Sequence, residues 1–184
     1  MADVSVRIAE ASDAASIAHT QADAWRDSYA DLLPAELIDG LASAEAQEQW
    51  RLAVTSPPTH RHRVLVALSG AAVVGFAAFG PSDDPDLTPA MDADIAALSV
   101  APGATRAGHG SRLVNAAVDH LRGDGFRTAH VWLAAAGRGD DRLHTFLAGA
   151  GWEPDGATRE LDLHGDGLLV VPQVRLRAAI GEEA

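Results

Sequence analysis

The stretch "RVLVALSGAAVVGFAAFG", residues 63–80, constrains the fold more than any other. It is apolar almost throughout, and Ser69-Gly70 at its middle has the composition of a two-residue hairpin turn, so it reads as an antiparallel strand pair. Further along, the strand "DIAALSV" (residues 94–100) leads through a glycine-rich loop into an amphipathic helix, and a second strand follows at 128–134. The helix carries Leu113, Val114, Ala117, Val118 and Leu121 on one face, and "GDG" at 123–125 stops it. Hairpins in the first half and a strand–helix–strand unit in the second predict an α+β chain: a mixed central sheet flanked by helices on both faces. A ligand site is expected where the pairing pattern changes.

The remaining elements fill in around that sheet. Val4, Val6 and Ile8 alternate with polar neighbours as a first strand, and Ser12 is placed to cap a helix with Ile17, Ala18, Ala24 and Trp25 at helical spacing. Pro34 suits the first turn of a short helix through Gly40, and Ser43 caps a third with Ala46, Trp50 and Val54 on one face. Residues 81–93, rich in proline and aspartate, read as a solvated loop. A helix near 140–149 and two strands around "HGDG" complete the chain. At 184 residues, 47% of them hydrophobic, the chain is expected to form one domain spanning residues 1–184.

Composition excludes several chemistries. There is no cysteine, hence no disulfide, thiolate metal site or covalent thiol intermediate, and no metal is expected. The formal charge of −12 disfavours nucleic acid and anionic lipid as partners. The N-terminal residues resemble no signal peptide and no apolar run spans a bilayer, so a cytoplasmic location is the expectation. "THRHR" at 59–63 reads as a solvated edge.

Three phosphate-binding readings compete for "GATRAGHGS" at 103–111. A Walker A loop requires lysine and a hydroxyl residue where His109 and Gly110 stand, and all 14 basic residues of the chain are arginines. A dinucleotide fingerprint would need glycine at Leu113. The third reading is a turn whose exposed amides and helix N-terminus grip a pyrophosphate, with glycine at 108 and 110 letting the ligand approach and Arg106 and Arg112 adding charge at the rim. A tight turn into a helix with no ligand is the alternative.

"ALSV", Pro102 and "TRAGHGSRL" resemble motif A of the Gcn5-related N-acetyltransferases, with Thr105 where glutamine or arginine is usual. "DDRLHTFLAGAGW" resembles motif B of the same family through Asp140, Arg142, Phe146, Gly151 and Trp152. "WRDSYADLLP" and "GWEPDGATREL…PQVRLR" resemble stretches of one bacterial branch, so the likeness covers nearly the whole chain.

That resemblance implies an acyl-CoA N-acyltransferase fold and acetyl-CoA as cosubstrate. The pantetheine arm would lie between the strand ending at Val100 and the strand at 129–134, along the backbone of Leu98, Ser99 and Val100. The diphosphate would sit on amides of Thr105, Arg106, Ala107, Gly108, His109, Gly110 and Ser111, with Arg142 and Phe146 completing the cofactor site. His109 is expected to face solvent.

Direct transfer needs a neutral amine, a donor such as the Val100 N–H for the oxyanion, and a proton for the leaving sulfur. A lysine-like amine with a pKa of about 10.4 costs ~4.6 kcal/mol to deprotonate at pH 7, whereas a thiol near 8.5 leaves readily, so the base matters most. Asp94 occupies the place of the family's strand glutamate. The family's motif B tyrosine, its usual acid, is Leu147 here, leaving thiolate departure, water, Ser99, His144 or Tyr29. The first two helices and the 81–93 loop would form the pocket for a primary amine of a small molecule or peptide, with Trp25, Tyr29 and Trp50 as wall candidates, although aromatic residues at helical spacing are more often core. A homodimer is common in proteins of this kind. A non-catalytic acyl-CoA-binding module is the competing reading.

Overall fold

The structure is a computed structural model that describes residues 4–135, 138–163, 167 and 169–181. Seven strands form one sheet in the order β1-β2-β3-β4-β5-β7-β6. They are β1 (Val4–Ile8), β2 (Arg63–Ser69), β3 (Ala72–Pro81), β4 (Asp92–Val100), β5 (Thr128–Ala134), β6 (Glu153–Asp162) and β7 (Val170–Ala179). Every neighbouring pair is antiparallel except β4–β5, which is parallel. The helices are α1 (Ala14–Tyr29), α2 (Ala35–Gly40), α3 (Ala44–Thr55), α4 (His109–Gly123) and α5 (Arg138–Gly149).

Alternation along β2 sorts the core into two layers. Leu65 and Ala67 join a cluster with Leu113, Val114 and Leu121 of α4, while Val64 and Val66 join Ile17 of α1 and Trp50 of α3. The expected mixed sheet with helices on both faces is therefore what forms. The β2–β3 hairpin also forms, but Ser69 pairs with Ala72, so Gly70 and Ala71 are the central turn residues, and Gly70 takes φ 61°.

Local readings differ from the structure in four places. Ser12 does not cap α1; it sits inside a 3₁₀ turn (Ala11–Asp13). There the Asp13 carboxylate accepts from the Glu10 amide at 2.7 Å and holds the Arg7 guanidinium by two hydrogen bonds. Asp13 thus closes the capping box of the 3₁₀ turn and neutralises a charge at once, while its side chain makes no capping bond to α1. Ser43 does cap α3, accepting from the Ala46 amide.

The 81–93 loop is shorter than its composition suggests, because β3 runs to Pro81 and β4 starts at Asp92. "THRHR" is no solvated edge. Arg61 lies 3.6 Å over the Phe126 ring, Arg63 pairs with Asp124, and the His62 ring packs against the backbone of Gly80. Trp50 packs edge-on against Phe76 and donates to Gln21 at 3.0 Å, as a core residue. The Gly165-Asp166 part of the "HGDG" turn lies outside the described residues.

The His62 contact makes a stability prediction. A Cβ on Gly80 would overlap the imidazole, which is anchored through Nδ1 to Thr59 Oγ1 at 2.9 Å. Gly80→Ala is expected to cost about 1–3 kcal/mol of folding free energy, read as a lowered denaturant midpoint at unchanged m-value.

Candidate active site

Where β4 leaves β5, the sheet opens. The parallel pairing covers only Asp92↔Thr128, Ala93↔Ala129 and Asp94↔His130. Next along β4, Phe79 faces Ile95 but Ala78 faces Ala97, so Ala96 is an extra, bulged residue. A bulge bends its strand and sharpens the twist, which carries the rest of β4 away from its parallel neighbour.

The backbone beyond the bulge has a defined orientation. Ala101 donates to Val74 O at 2.8 Å, and hydrogen-bonded positions alternate along an antiparallel ladder. Ser99 therefore spends its backbone groups on Phe76, its partner on β3, whereas Leu98 and Val100 turn theirs towards the β5 side. No strand pairs with them there.

The same opening receives the N-terminus of α4. None of the amides from Thr105 to Ser111 donates to an acceptor among the described residues. Arg106 (φ 63°) and Gly108 (φ 81°) are left-handed, the backbone handedness from which anion-binding concavities are built. A Cβ on Gly108 would meet Arg112 Nη1 at 2.8 Å, while one on Gly110 would make only ordinary contact with Phe146 and Val100. Glycine at 108 is thus required by conformation, whereas at 110 a Cβ would fit between Val100 of β4 and Phe146 of α5.

A cavity of about 540 Å³ fills the gap. Its walls include Ala96 to Ser99 of β4, Val131 to Ala134 of β5, Trp25 and Tyr29 of α1, and residues of β6 and β7. Asp94 lies in this wall. Ser82 donates to its Oδ2 at 2.7 Å, and its Oδ1 is buried without a hydrogen-bond partner.

Burial holds the Asp94 carboxyl above the usual carboxylate range; the Ser82 hydrogen bond and His130 act against this, and Asp83 and Asp84 add to it. Two other carboxylates approach His130: Asp92 Oδ1 at 3.1 Å from Nε2, and Asp155 Oδ2 at 3.9 Å from Nδ1. Burial also pushes those two up, but it is outweighed at Asp92 by the Thr88 amide and His130, and at Asp155 by the Ala157 amide and Arg175. Both stay low. Asp94 is thus the one carboxylate of the three held above the ordinary carboxylate range.

Other sequence expectations fare unevenly. Leu98, Ser99, Trp25 and Tyr29 line the cavity, and Trp50 does not. His109 does not face solvent: it is 3% exposed, with Nδ1 buried and unpartnered, because the first helical turn is pressed onto the sheet by Leu113 and Val114. Phe146 flanks Gly110. Arg142 is 68% exposed and pairs with Asp27 of α1 at 3.1 Å, away from the cavity wall. Asp140 belongs to α5, but its side chain is outside the described set.

Residues 19–149 match the acetyltransferase (GNAT) family. The chain belongs to that family. Over 131 residues, 71% of each protein, it is 28% identical to YuaI of Bacillus subtilis, an uncharacterised N-acetyltransferase. Its fold resembles that of the PaiA N-acetyltransferase of Thermoplasma acidophilum, solved with coenzyme A (TM-score 0.75, 14% identity, 96% of this chain and 99% of that one). It also resembles YncA of Salmonella typhimurium, a putative acetyltransferase solved with acetyl-CoA (TM-score 0.66, 17% identity, 99% and 96%).

Within this GNAT chain, Leu147 is fully buried, so the position of the missing tyrosine points into the core. Sequence reasoning missed Ser82, His130, Trp132, Asp155, Arg159 and Arg175. A serine in a proline–aspartate loop and a histidine inside a strand carry no local signal; only the β3–β4 and β4–β5 pairings bring them to Asp94. Among the described residues no helix is long and apolar enough to cross a membrane, and no group of three or more His, Asp or Glu side chains could hold a metal ion.

Proposed function

We propose that the protein transfers the acetyl group of acetyl-CoA to an amine held in the cavity, with Asp94 as the general base. The observation that carries this reading is the buried, unpartnered Asp94 Oδ1 in the wall of the opening between β4 and β5. The donor side fits acetyl-CoA. Free amides from Thr105 to Ser111 suit its diphosphate, and the backbone groups of Leu98 and Val100 that turn towards the gap suit the amides of its pantetheine arm. Acetyl-CoA supplies a thioester-activated acetyl group.

Asp94 accepts a proton from the ammonium form of the acceptor, directly or through one water, and releases it to solvent. As the new N–C bond forms, the C–S bond breaks, the attacking nitrogen gives up its second proton through water, and CoA departs as the thiolate, which takes up a proton to become the free thiol. The Val100 N–H is the donor for the transient negative oxygen. The chain offers no tyrosine at Leu147 for the sulfur; Ser99, in the cavity wall, is the proton donor nearest that role, and a thiol with a pKa near 8.5 needs little help.

The reading predicts a pH profile. Because Asp94 is raised above its ordinary value, kcat falls as pH drops through that raised pKa, at a pH above the about 4 of an unperturbed carboxylate. Stability runs the opposite way. The folded state holds the Asp94 proton more tightly than the unfolded chain, so this group's contribution is fully present below the unfolded pKa and is lost as pH rises through the folded one. Release of CoA thiol from acetyl-CoA, followed across pH with an amine panel, tests the reading. A module that only binds acyl-CoA would release none.

A further inference from the structure

The part of the cavity wall formed by β4, β5 and β6 bears on which amine enters. It holds Asp94, on which Asp83 acts electrostatically, and Arg159 of β6. The Arg159 guanidinium lies 4.3 Å from the centre of the Trp132 ring, and its Nε donates to Gln173 Oε1 at 2.7 Å. Unlike Arg175, which is tied to Asp84 and Asp155, Arg159 has no carboxylate partner among the described residues. Trp132 also lines the cavity, and its Nε1 is buried with no acceptor. Buried donors are normally satisfied, so an unpaired one in a cavity wall marks a place where a ligand acceptor fits.

The cavity wall therefore carries charge of both signs: Asp94, whose Oδ1 has no hydrogen-bond partner, and Arg159, whose guanidinium has no carboxylate partner among the described residues, beside the unpartnered Trp132 Nε1. Between and around them the wall is apolar, with Trp25, Leu33 and Val171 among its residues. Trp132 is two residues along β5 from His130, which faces Asp94, a displacement of roughly 6.6 Å along the strand. With the spacing of roughly 4.8 Å between β4 and β5 added, the backbone positions of Asp94 and Trp132 lie about 8 Å apart, and two hydrogen bonds of roughly 2.9 Å each with the short body of an amino acid between them span a distance of that order.

We propose that the acceptor is a free amino acid with an apolar side chain, its amino group at Asp94 and its carboxylate on Arg159 and the Trp132 indole N–H. This rests on the transferase reading of the cavity. Polyamines fit poorly, since a second ammonium would meet Arg159. Aminoglycosides fit poorly too, since their hydroxyls would lie unpaired against the apolar wall. Arg159 is exposed on an edge strand, so replacing it leaves the core intact.

The test compares leucine, methionine and phenylalanine with their amides and their decarboxylated amines. CoA thiol release is measured for the natural protein, Arg159→Met and Arg159→Lys, and calorimetry follows the same amino acids binding to the CoA-saturated protein. The expected result is a kcat/KM for the amino acids about tenfold or more above their amides, as for hydrogen bonds to a charged group. That preference lies mostly in KM, collapses in Arg159→Met and is partly restored in Arg159→Lys. Equal turnover of acids and amides, or an acid preference that survives Arg159→Met, overturns this inference and leaves the transferase reading standing. Arg159-dependent binding of the amino acids with no thiol released from any amine supports the site and overturns the transferase reading. Neither binding nor turnover of the amino acids overturns the inference.

Discussion

Asp94→Asn will slow CoA thiol release by about 10²–10⁴-fold, the range for a positioned general base, while acetyl-CoA affinity stays within about twofold, since Asp94 is remote from the amides that would hold the diphosphate. Asparagine keeps the size of the side chain and can still accept from the Ser82 hydroxyl, but it cannot take a proton from an ammonium group. The acidic limb of the kcat profile assigned to Asp94 should vanish with it. The substitution should also leave the protein as stable or more stable at neutral pH, because it removes a buried charge whose Oδ1 has no partner. A variant that is slow and at least as stable separates loss of chemistry from loss of fold. An undiminished rate at neutral pH removes Asp94 from the mechanism.

Gly108→Val is the second large effect. Gly108 sits at φ 81°, a conformation that costs an ordinary L-residue roughly 1–2 kcal/mol and a β-branched one more. Its Cβ would also displace Arg112 at the mouth of the anion-binding turn. Both consequences fall on the amides from Thr105 to Ser111, so acetyl-CoA should bind at least about tenfold more weakly, equivalent to ~1.4 kcal/mol, by calorimetry. Gly103→Ala is the internal control. Nothing lies within 4 Å of the Cβ it adds and its φ is not left-handed, so affinity and stability should hold. If Gly108→Val binds acetyl-CoA as the natural chain does, the loop is not the diphosphate site.

The family belonged to the legible part of the sequence. Strand, glycine loop and amphipathic helix follow one another within residues 94–121, and that unit depends on local composition and spacing: an apolar strand, a glycine-rich turn, and period 3.6 in α4. The base candidate came with the family resemblance, which sets Asp94 in the place of the strand glutamate. The His109 reading failed, and Trp50 took the core place rather than the wall place left open for it, for a common reason. Whether a side chain at the end of a helix, or an aromatic on its face, meets solvent, ligand or core depends on how the helix docks, and no neighbour in sequence reports that.

Local propensity and side-chain periodicity alone determined the mixed sheet, its hairpin, the glycine turn into α4 and the presence of a carboxylate on β4, because each arises from residues close together in the chain. Only the tertiary structure decided what surrounds that carboxylate. The bulge at Ala96 parts β4 from β5. The β3–β4 turn carries Ser82 to Asp94, and the β6–β7 hairpin sets Arg159 over Trp132. Those juxtapositions join residues 12 to 65 positions apart from Asp94, and strand pairing rather than any sequence pattern fixes them: a one-residue slip in register would turn each side chain to the opposite face.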